Sequence, residues 1–450
     1  MEDQTLIILI GLVVGIGAFF VTLLNTNAAI TMLIYSMLLS PEIPLIHLPE
    51  RSVVIRFDDL LLGIVFLTWL AKLAINKELE VLRTTPLNVP MGFFILMCCV
   101  STGWGAMNGT VPNFVTGLFY IVKYVEYFMV FFMVANTVQT REQLERFLKA
   151  AFVTAALVSL YCYWTLLATG SLFSYLRVTA PFDYSADGQG EPNTLAMYLV
   201  MILAICGGVA LYTPSPSRRR VLVVLIAWMV LPLMATFSRG GYAAFLVMYV
   251  MLCLFSRRYK FLLFLLLMAG AILIPLIAPP AVVERVASTF RHPEGTLQVG
   301  GRVIPLAASP YHRVYVWKLI FDQWMKHPLL GFGITGVGLI DSQYPRIIGE
   351  LGMGGFGGFV WLISSIWGMA RRVFRTMEDV LAKGISLGFL AGFAALLIGN
   401  LTGNFFIVVR VMEPFWFLAA IVAVLPRVTA PPPSAVAGGP VQPFTLPRVA

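Results

Sequence analysis

Five places in this sequence set groups able to handle a proton or an anion beside long apolar runs. Ser238-Arg239-Gly240-Gly241 joins two such runs. Its glycines permit a tight turn and close backbone approach, and its arginine is fixed at the depth where the runs end. That guanidinium could snorkel to headgroups or hold an anion, and a second arginine cluster downstream favours the anion. Asp341-Ser342-Gln343-Tyr344-Pro345-Arg346 and Glu350-Leu351-Gly352 precede another run. A carboxylate, a phenol and an arginine at an aqueous edge could act as base and phosphate clamp; a solvated loop end is the alternative. Lys123 and Glu126 lie three apart, hence on one helix face. Ionisable groups at that depth are expensive, so they read as an ion pair or a substrate contact. Arg56 with Asp58 and Asp59 reads as a charge cluster at headgroup level. Glu191-Pro192-Asn193 opens a helix, with the proline in the first turn and Glu191 near the positive end of the dipole. Capping is sufficient to explain it.

The elements that must position these groups are membrane helices. Of 450 residues, 59% are hydrophobic and 12% charged, about half the charge of a soluble domain. A bilayer core of about 30 Å takes around 20 apolar residues per helix. Runs at 6–24, 28–47, 58–75, 89–107, 113–137, 147–169, 193–212, 221–237, 240–256, 261–278, 352–370, 384–405 and 411–425 predict an all-α integral membrane protein of about thirteen transmembrane helices. The second run is broken by Pro41 and Pro44, so its latter half reads as re-entrant or interfacial. The bundle spans 1–426 and includes a large loop over 279–351; residues 427–450, rich in Pro, Ala and Gly, predict a disordered cytoplasmic tail.

Net charge is +9, from 31 Lys+Arg against 22 Asp+Glu. In a membrane protein this reflects anionic lipid and the positive-inside bias, not nucleic acid. Basic residues follow alternate helices: Lys72 and Arg83, Arg141 to Lys149, Arg218 to Arg220, Arg257 to Lys260, Arg371 to Lys383, and Arg427. That alternation places the N-terminus outside and the C-terminus in the cytoplasm. The five cysteines all lie in apolar runs and read as small buried hydrophobes. The acidic start, Met1-Glu2-Asp3-Gln4, lacks the basic region of a secretory signal, so the first run is expected to stay as a helix.

The long loop carries Arg285, Arg291, Arg302, Arg313, Lys318, Lys326 and Arg346, mostly the residue suited to bidentate phosphate contact. Within it, Tyr311 to His327 predicts a helix with Val314, Trp317, Ile320, Phe321 and Trp324 on one face, an amphipathic pattern suited to an interface. Arg313 projects near the two tryptophans. His292, His312 and His327 have no metal-site spacing.

Together these motifs resemble the O-antigen ligase and Wzy-type polymerase superfamily of bacterial envelope glycosyltransferases. The matching residues are Arg56-Phe57-Asp58-Asp59-Leu60, the Lys123/Glu126 helix followed by Arg141-Glu142, Glu191-Pro192-Asn193 and Ser238-Arg239-Gly240. Downstream come Arg313 and Trp317, then His327-Pro328-Leu329-Leu330-Gly331-Phe332-Gly333, then Asp341 to Gly352. The resemblance implies a donor glycan linked to undecaprenyl pyrophosphate, a glycan acceptor, and transfer at the periplasmic face of the bacterial inner membrane. It implies no metal or other cofactor, and a possible chain-length regulator and flippase as partners. Arg239 and Arg313 match arginines that engage the donor pyrophosphate, with Arg346 and Lys123 expected to assist. Asp341 stands where the ligases carry a histidine, typically followed by asparagine. Asp341-Ser342 here favours a polymerase, with an O-antigen ligase or a protein O-oligosaccharyltransferase as alternatives.

The reaction would break a glycosidic bond through an oxocarbenium-like state, and fixed guanidiniums would stabilise the charge growing on the pyrophosphate. Asp341 is the first candidate for the base, with Glu191 and Glu350 behind it. Asn193, Tyr344 and Arg177 are candidate substrate contacts. The competing class is a transporter or lipid flippase, against which stand the absence of inverted repeats and the single long loop.

Overall fold

In lipid every backbone N–H and C=O must be paired within its own segment, so a long apolar run has the helix as its practical solution. The computed structural model bears this out over its described residues, 16–47, 52–75, 83–170, 177–183, 190–256, 259–277, 282–284, 287–288, 293–299, 302–338 and 340–429. Helix α1 (16–24) is followed by α2 (Thr26–Leu39), α3 (Phe57–Ile75), α4 (Asn88–Met107), α5 (Phe114–Thr137) and α6 (Arg141–Ala168). Then come α7 (Pro192–Tyr212), α8 (Pro216–Ala235), α9 (Arg239–Phe255) and α10 (Lys260–Ile277). The remaining helices are α11 (Ala308–Trp324), α12 (Gln343–Thr376), α13 (Val380–Gly399) and α14 (Val409–Val428). Two short antiparallel hairpins accompany the helices: β1 (Glu42–His47) with β2 (Ser52–Arg56), and β3 (Pro293–Val299) with β4 (Arg302–Ala307).

Seven of these helices, α4, α5, α6, α7, α12, α13 and α14, are long and apolar enough to cross a membrane. The chain is therefore a multi-pass α-helical membrane protein. The expected thirteen spans exceed what length and composition support. Helix α2 has 14 residues and α9 has 17, short of the about 20 that a bilayer core asks for. The run expected over 28–47 ends at Leu39, and the chain turns into β1. Residues 1–15 of the first expected span, and 430–450 of the expected tail, lie outside the described residues. At the start of that tail, α14 continues through Val428, and Arg427 donates to the carbonyls of Ala135 and Val138 at 3.0 and 2.6 Å.

Helix α7 is apolar on every side because neighbours surround it, with 89% of its span buried. Its tightest partner is α13. Gly384, Gly388 and Gly392 repeat every fourth residue and form one stripe. A Cβ at Gly388 would come within 2.5 Å of the Ala204 carbonyl oxygen and 2.6 Å of the Ile205 Cα. Between membrane helices such small residues let dispersion contacts and backbone proximity replace the missing hydrophobic drive.

The segments between helices collect at two ends. At one, Arg141 pairs with Asp379 at 2.7 Å, Arg218 approaches Glu145 at 3.8 Å, and the Arg83 amide donates to Asn136 at 3.1 Å. This basic end gathers the segments after α3, α5, α7 and α12. The far end holds the N-termini of α7, α9 and α12 and the C-terminus of α13, and that end carries the candidate chemistry.

Helix α12 is two helices joined across Gly352, whose φ of +62° and ψ of −166° break the ladder. The break frees carbonyls that an apolar interior cannot leave unpaired. The segment after α11 supplies the donors. Phe332 N–H bonds the Gly349 carbonyl at 2.9 Å, and Gly333 N–H bonds that of Glu350 at 2.8 Å. Met353 and Gly354 N–H return to the Pro328 and Leu329 carbonyls at 2.9 and 3.0 Å. The Ser101 hydroxyl of α4 lies 2.7 Å from the Glu350 carbonyl.

Candidate functional site

The expected apolar run over 384–405 does not stay helical to its end. Helix α13 stops at Gly399, and the following residues, 400–404, form a loop that ties two turns together. On one side is Ser238, whose hydroxyl accepts from Gly241 N–H at 3.0 Å and caps α9. Arg239 is thereby the first residue of α9. A Cβ on Gly240 would lie 2.5 Å from the Thr402 hydroxyl, and one on Gly241 would lie 2.6 Å from the Ala196 methyl of α7. Only glycine admits both contacts.

On the other side of the loop stands Asp341. The Asn400 carbonyl accepts from Gln343 N–H at 3.1 Å and from the Ser342 hydroxyl at 3.4 Å. The Asn404 side-chain amide donates to the Ile340 carbonyl. Both flanks of Asp341 are thus fixed while its own side chain remains exposed. Arg313 of α11 lies near enough to feel it. Burial lowers the Arg313 guanidinium below the usual arginine range, and the charge of Asp341 acts in the opposite direction. The Arg313 Nε has no hydrogen-bond partner among the described residues. Helix α11 is anchored by Ile320, 2% exposed, which packs on Gly349. Phe321, expected on the same apolar face, is exposed.

Beside the α9 turn, the segment 177–183 meets the start of α7. Arg177 donates from Nε to the Thr236 carbonyl at 3.1 Å and from Nη2 to Asn193 Oδ1 at 3.4 Å. Glu191 is exposed, and its Oε2 accepts from the Thr194 hydroxyl at 3.1 Å. The far end therefore brings together Arg239, Arg313, Asp341, Glu191, Asn193 and Arg177.

Four residues expected at the site are placed otherwise. Arg346 and Glu350 do not lie at an aqueous edge. They are 3% and 4% exposed and paired at 3.0 Å one helical turn apart. Glu350 Oε1 also accepts from Thr335 N–H at 3.0 Å, and Arg346 stacks over Tyr120 at 5.4 Å. The broken helix folds inward and takes both with it. Tyr344 spends its hydroxyl on the Leu397 carbonyl at 2.6 Å. Lys123 pairs with Asp59 at 2.6 Å and with Glu126 at 2.9 Å.

The Arg56 cluster, expected to be a charge cluster at headgroup level, is buried among the helices. Asp58 is wholly inaccessible and meets Arg56 at 2.6 Å. Two residues that the sequence reading passed over complete it. Arg410 of α14 donates to the Leu38, Pro181 and Phe182 carbonyls, each at 2.9 Å. Glu413, three residues on and fully buried, sets its carboxylate within 4.8 Å of those of Asp58 and Asp59. That spacing could suit a cation, yet Arg56 and Lys123 already supply positive charge to this group. The signal was available, since an i, i+3 charge pair inside an apolar run is what singled out Lys123 and Glu126.

The comparison with known families falls on the part of the chain that builds the far end. Residues 224–359 match the O-antigen ligase family. The O-antigen ligase match runs from α8 into α12 and contains Arg239, Arg313, Asp341, Arg346 and Glu350. No curated protein matches the chain.

Proposed function

We propose that this protein polymerises lipid-linked oligosaccharide at the far end of its bundle, read as the periplasmic face of the inner membrane. One observation carries the reading: two arginines and an exposed carboxylate, drawn from three separate segments, are brought to one end around the loop 400–404. The acceptor hydroxyl attacks the anomeric carbon of the donor glycan, and the bond from that carbon to undecaprenyl pyrophosphate breaks. The hydroxyl proton passes to Asp341, and the charge left on the pyrophosphate is met by Arg239 and Arg313. Glu191, Asn193 and Arg177 border the same end and are assigned to the glycan. The buried Arg346–Glu350 pair and Lys123 support the scaffold in this scheme and do not touch the donor. The Asp341-Ser342 pair in place of a histidine and asparagine favours a polymerase over a ligase. In this scheme the N-terminus lies outside, the C-terminus lies in the cytoplasm, and a flippase and a chain-length regulator would act as neighbours.

A transporter reading has less support. Carriers use broken helices to point freed backbone at a substrate, whereas the carbonyls at the α12 break are taken by Phe332, Gly333 and Ser101. The deciding experiment incubates the purified protein with a lipid-linked repeat unit in detergent and reads product mass. Longer glycans with the native protein, and none with Arg239→Ala or Asp341→Asn at unchanged melting temperature, are expected. Wild-type product from either variant would overturn the assignment.

A further inference from the structure

At the basic end, remote from the proposed reaction, α6 and α8 are clamped and then part. Trp228 donates its indole N–H to the Ala156 carbonyl at 3.2 Å, Tyr163 donates its hydroxyl to the Trp228 carbonyl at 3.0 Å, and the two rings lie 4.3 Å apart. Between this clamp and the basic end a cavity of about 680 Å³ opens, walled by α6, α8 and the ends of α7 and α13. Leu148, Phe152, Val209 and Leu222 make its walls apolar. Its lining runs along α6 from Arg141 to Phe152 and along α8 from Ser217 to Leu222.

The mouth is charged. Arg141 is committed, to Asp379 at 2.7 Å and to Glu145 at 3.2 Å. Arg218 is not: it is 67% exposed and only loosely approached by Glu145 at 3.8 Å. Lys149 is exposed and makes no ion pair among the described residues. Val221 at the rim of the slot and Val224 farther along α8 are each 67% exposed, apolar surface that suits acyl chains rather than water. The slot therefore faces lipid, with uncommitted cations at its headgroup end.

We propose that this cavity is a binding site for one anionic glycerophospholipid, its phosphate on Lys149 and Arg218 and one acyl chain entering the slot between Phe152 and Leu222. Charge complementarity at the mouth and apolar walls below select an amphipathic anion, and neither feature alone would. The site is separate from the proposed glycan chemistry, and its test does not read transfer.

The full chain, purified in neutral detergent and stripped of lipid, would be titrated with phosphatidylglycerol, phosphatidylcholine or inorganic phosphate. Native mass spectrometry would count bound lipid, and thermal melting would report stabilisation. Phosphatidylglycerol is expected to bind with one tight copy and raise the melting temperature; the other two are not. Lys149→Gln with Arg218→Gln should weaken that copy by at least about fivefold. Val221→Trp, which crowds the slot and leaves the charges intact, should also weaken it. Melting without lipid checks that both variants fold. Equal stabilisation by phosphatidylcholine, an effect of phosphate alone, or undiminished binding by the double variant would overturn the proposal.

Discussion

Arg346–Glu350 and Arg313–Asp341 each set a guanidinium within the influence of a carboxylate, yet one association is closed and the other open. In the first, both members are nearly inaccessible, the ion pair is 3.0 Å long, and the carboxylate also holds Thr335 N–H. In the second, Asp341 is exposed and the Arg313 Nε lacks a partner among the described residues. A pair buried on both sides fixes a fold and lies out of a ligand's reach, although the Arg346 Nη1 also has no hydrogen-bond partner among the described residues. A half-buried arginine with an unused donor, within the influence of an exposed carboxylate, keeps a donor that a ligand could take. Residue type therefore says little about role here, and burial says a great deal.

The largest effect should come from breaking the closed pair. Glu350→Ala leaves Arg346 charged and buried, which costs about 3–5 kcal/mol, seen as a lowered melting temperature in detergent. Glu350→Gln keeps an acceptor for Thr335 N–H and should recover part of that loss. An unshifted melting curve for the alanine variant would remove the pair from the scaffold. Opening the other pair should do the reverse. Arg313→Ala should lower turnover by on the order of 10²–10³ while melting stays as in the native protein. Combined with Asp341→Asn, its effect should be strongly non-additive; losses that simply multiply would show that the two residues act independently.

The break in α12 links the two pairs, and Gly352→Ala sharpens the contrast. Its φ of +62° disfavours any side chain, and a Cβ there would also come within 2.6 Å of Gly331 N. A cost of about 1–3 kcal/mol is expected, with both melting temperature and turnover falling because both pairs depend on that junction. Ser101→Ala should be the mildest, about 1 kcal/mol, since it removes one hydroxyl serving the Leu330 and Glu350 carbonyls. Turnover should be unchanged in that variant.

Helix positions were largely legible from the chain. The expected runs at 89–107 and 113–137 correspond to Asn88–Met107 and Phe114–Thr137. Apolar length decides these, and Asn113 caps the second by accepting from Thr116 N–H at 3.2 Å. The end of α13 was placed too late: the run expected to 405 stops at Gly399, and Asn400 and Asn404 just beyond it bond Gln343, Ser342 and Ile340. Arg56, Asp58 and Asp59 were legible as a charge cluster but not as a buried one, since their burial depends on Arg410 and Glu413 arriving from α14.

The sequence by itself determined the solvent, the approximate helices and the short set of residues able to bind an anion or take a proton, because apolar length and side-chain chemistry are local properties. Only the tertiary structure decided which of those residues are buried and which stay open. Arg313 and Arg346 are chemically one residue type; a broken helix buries the second, while an outlying helix leaves the first half-buried. Partnering is settled between segments far apart in the chain, and no local pattern encodes it.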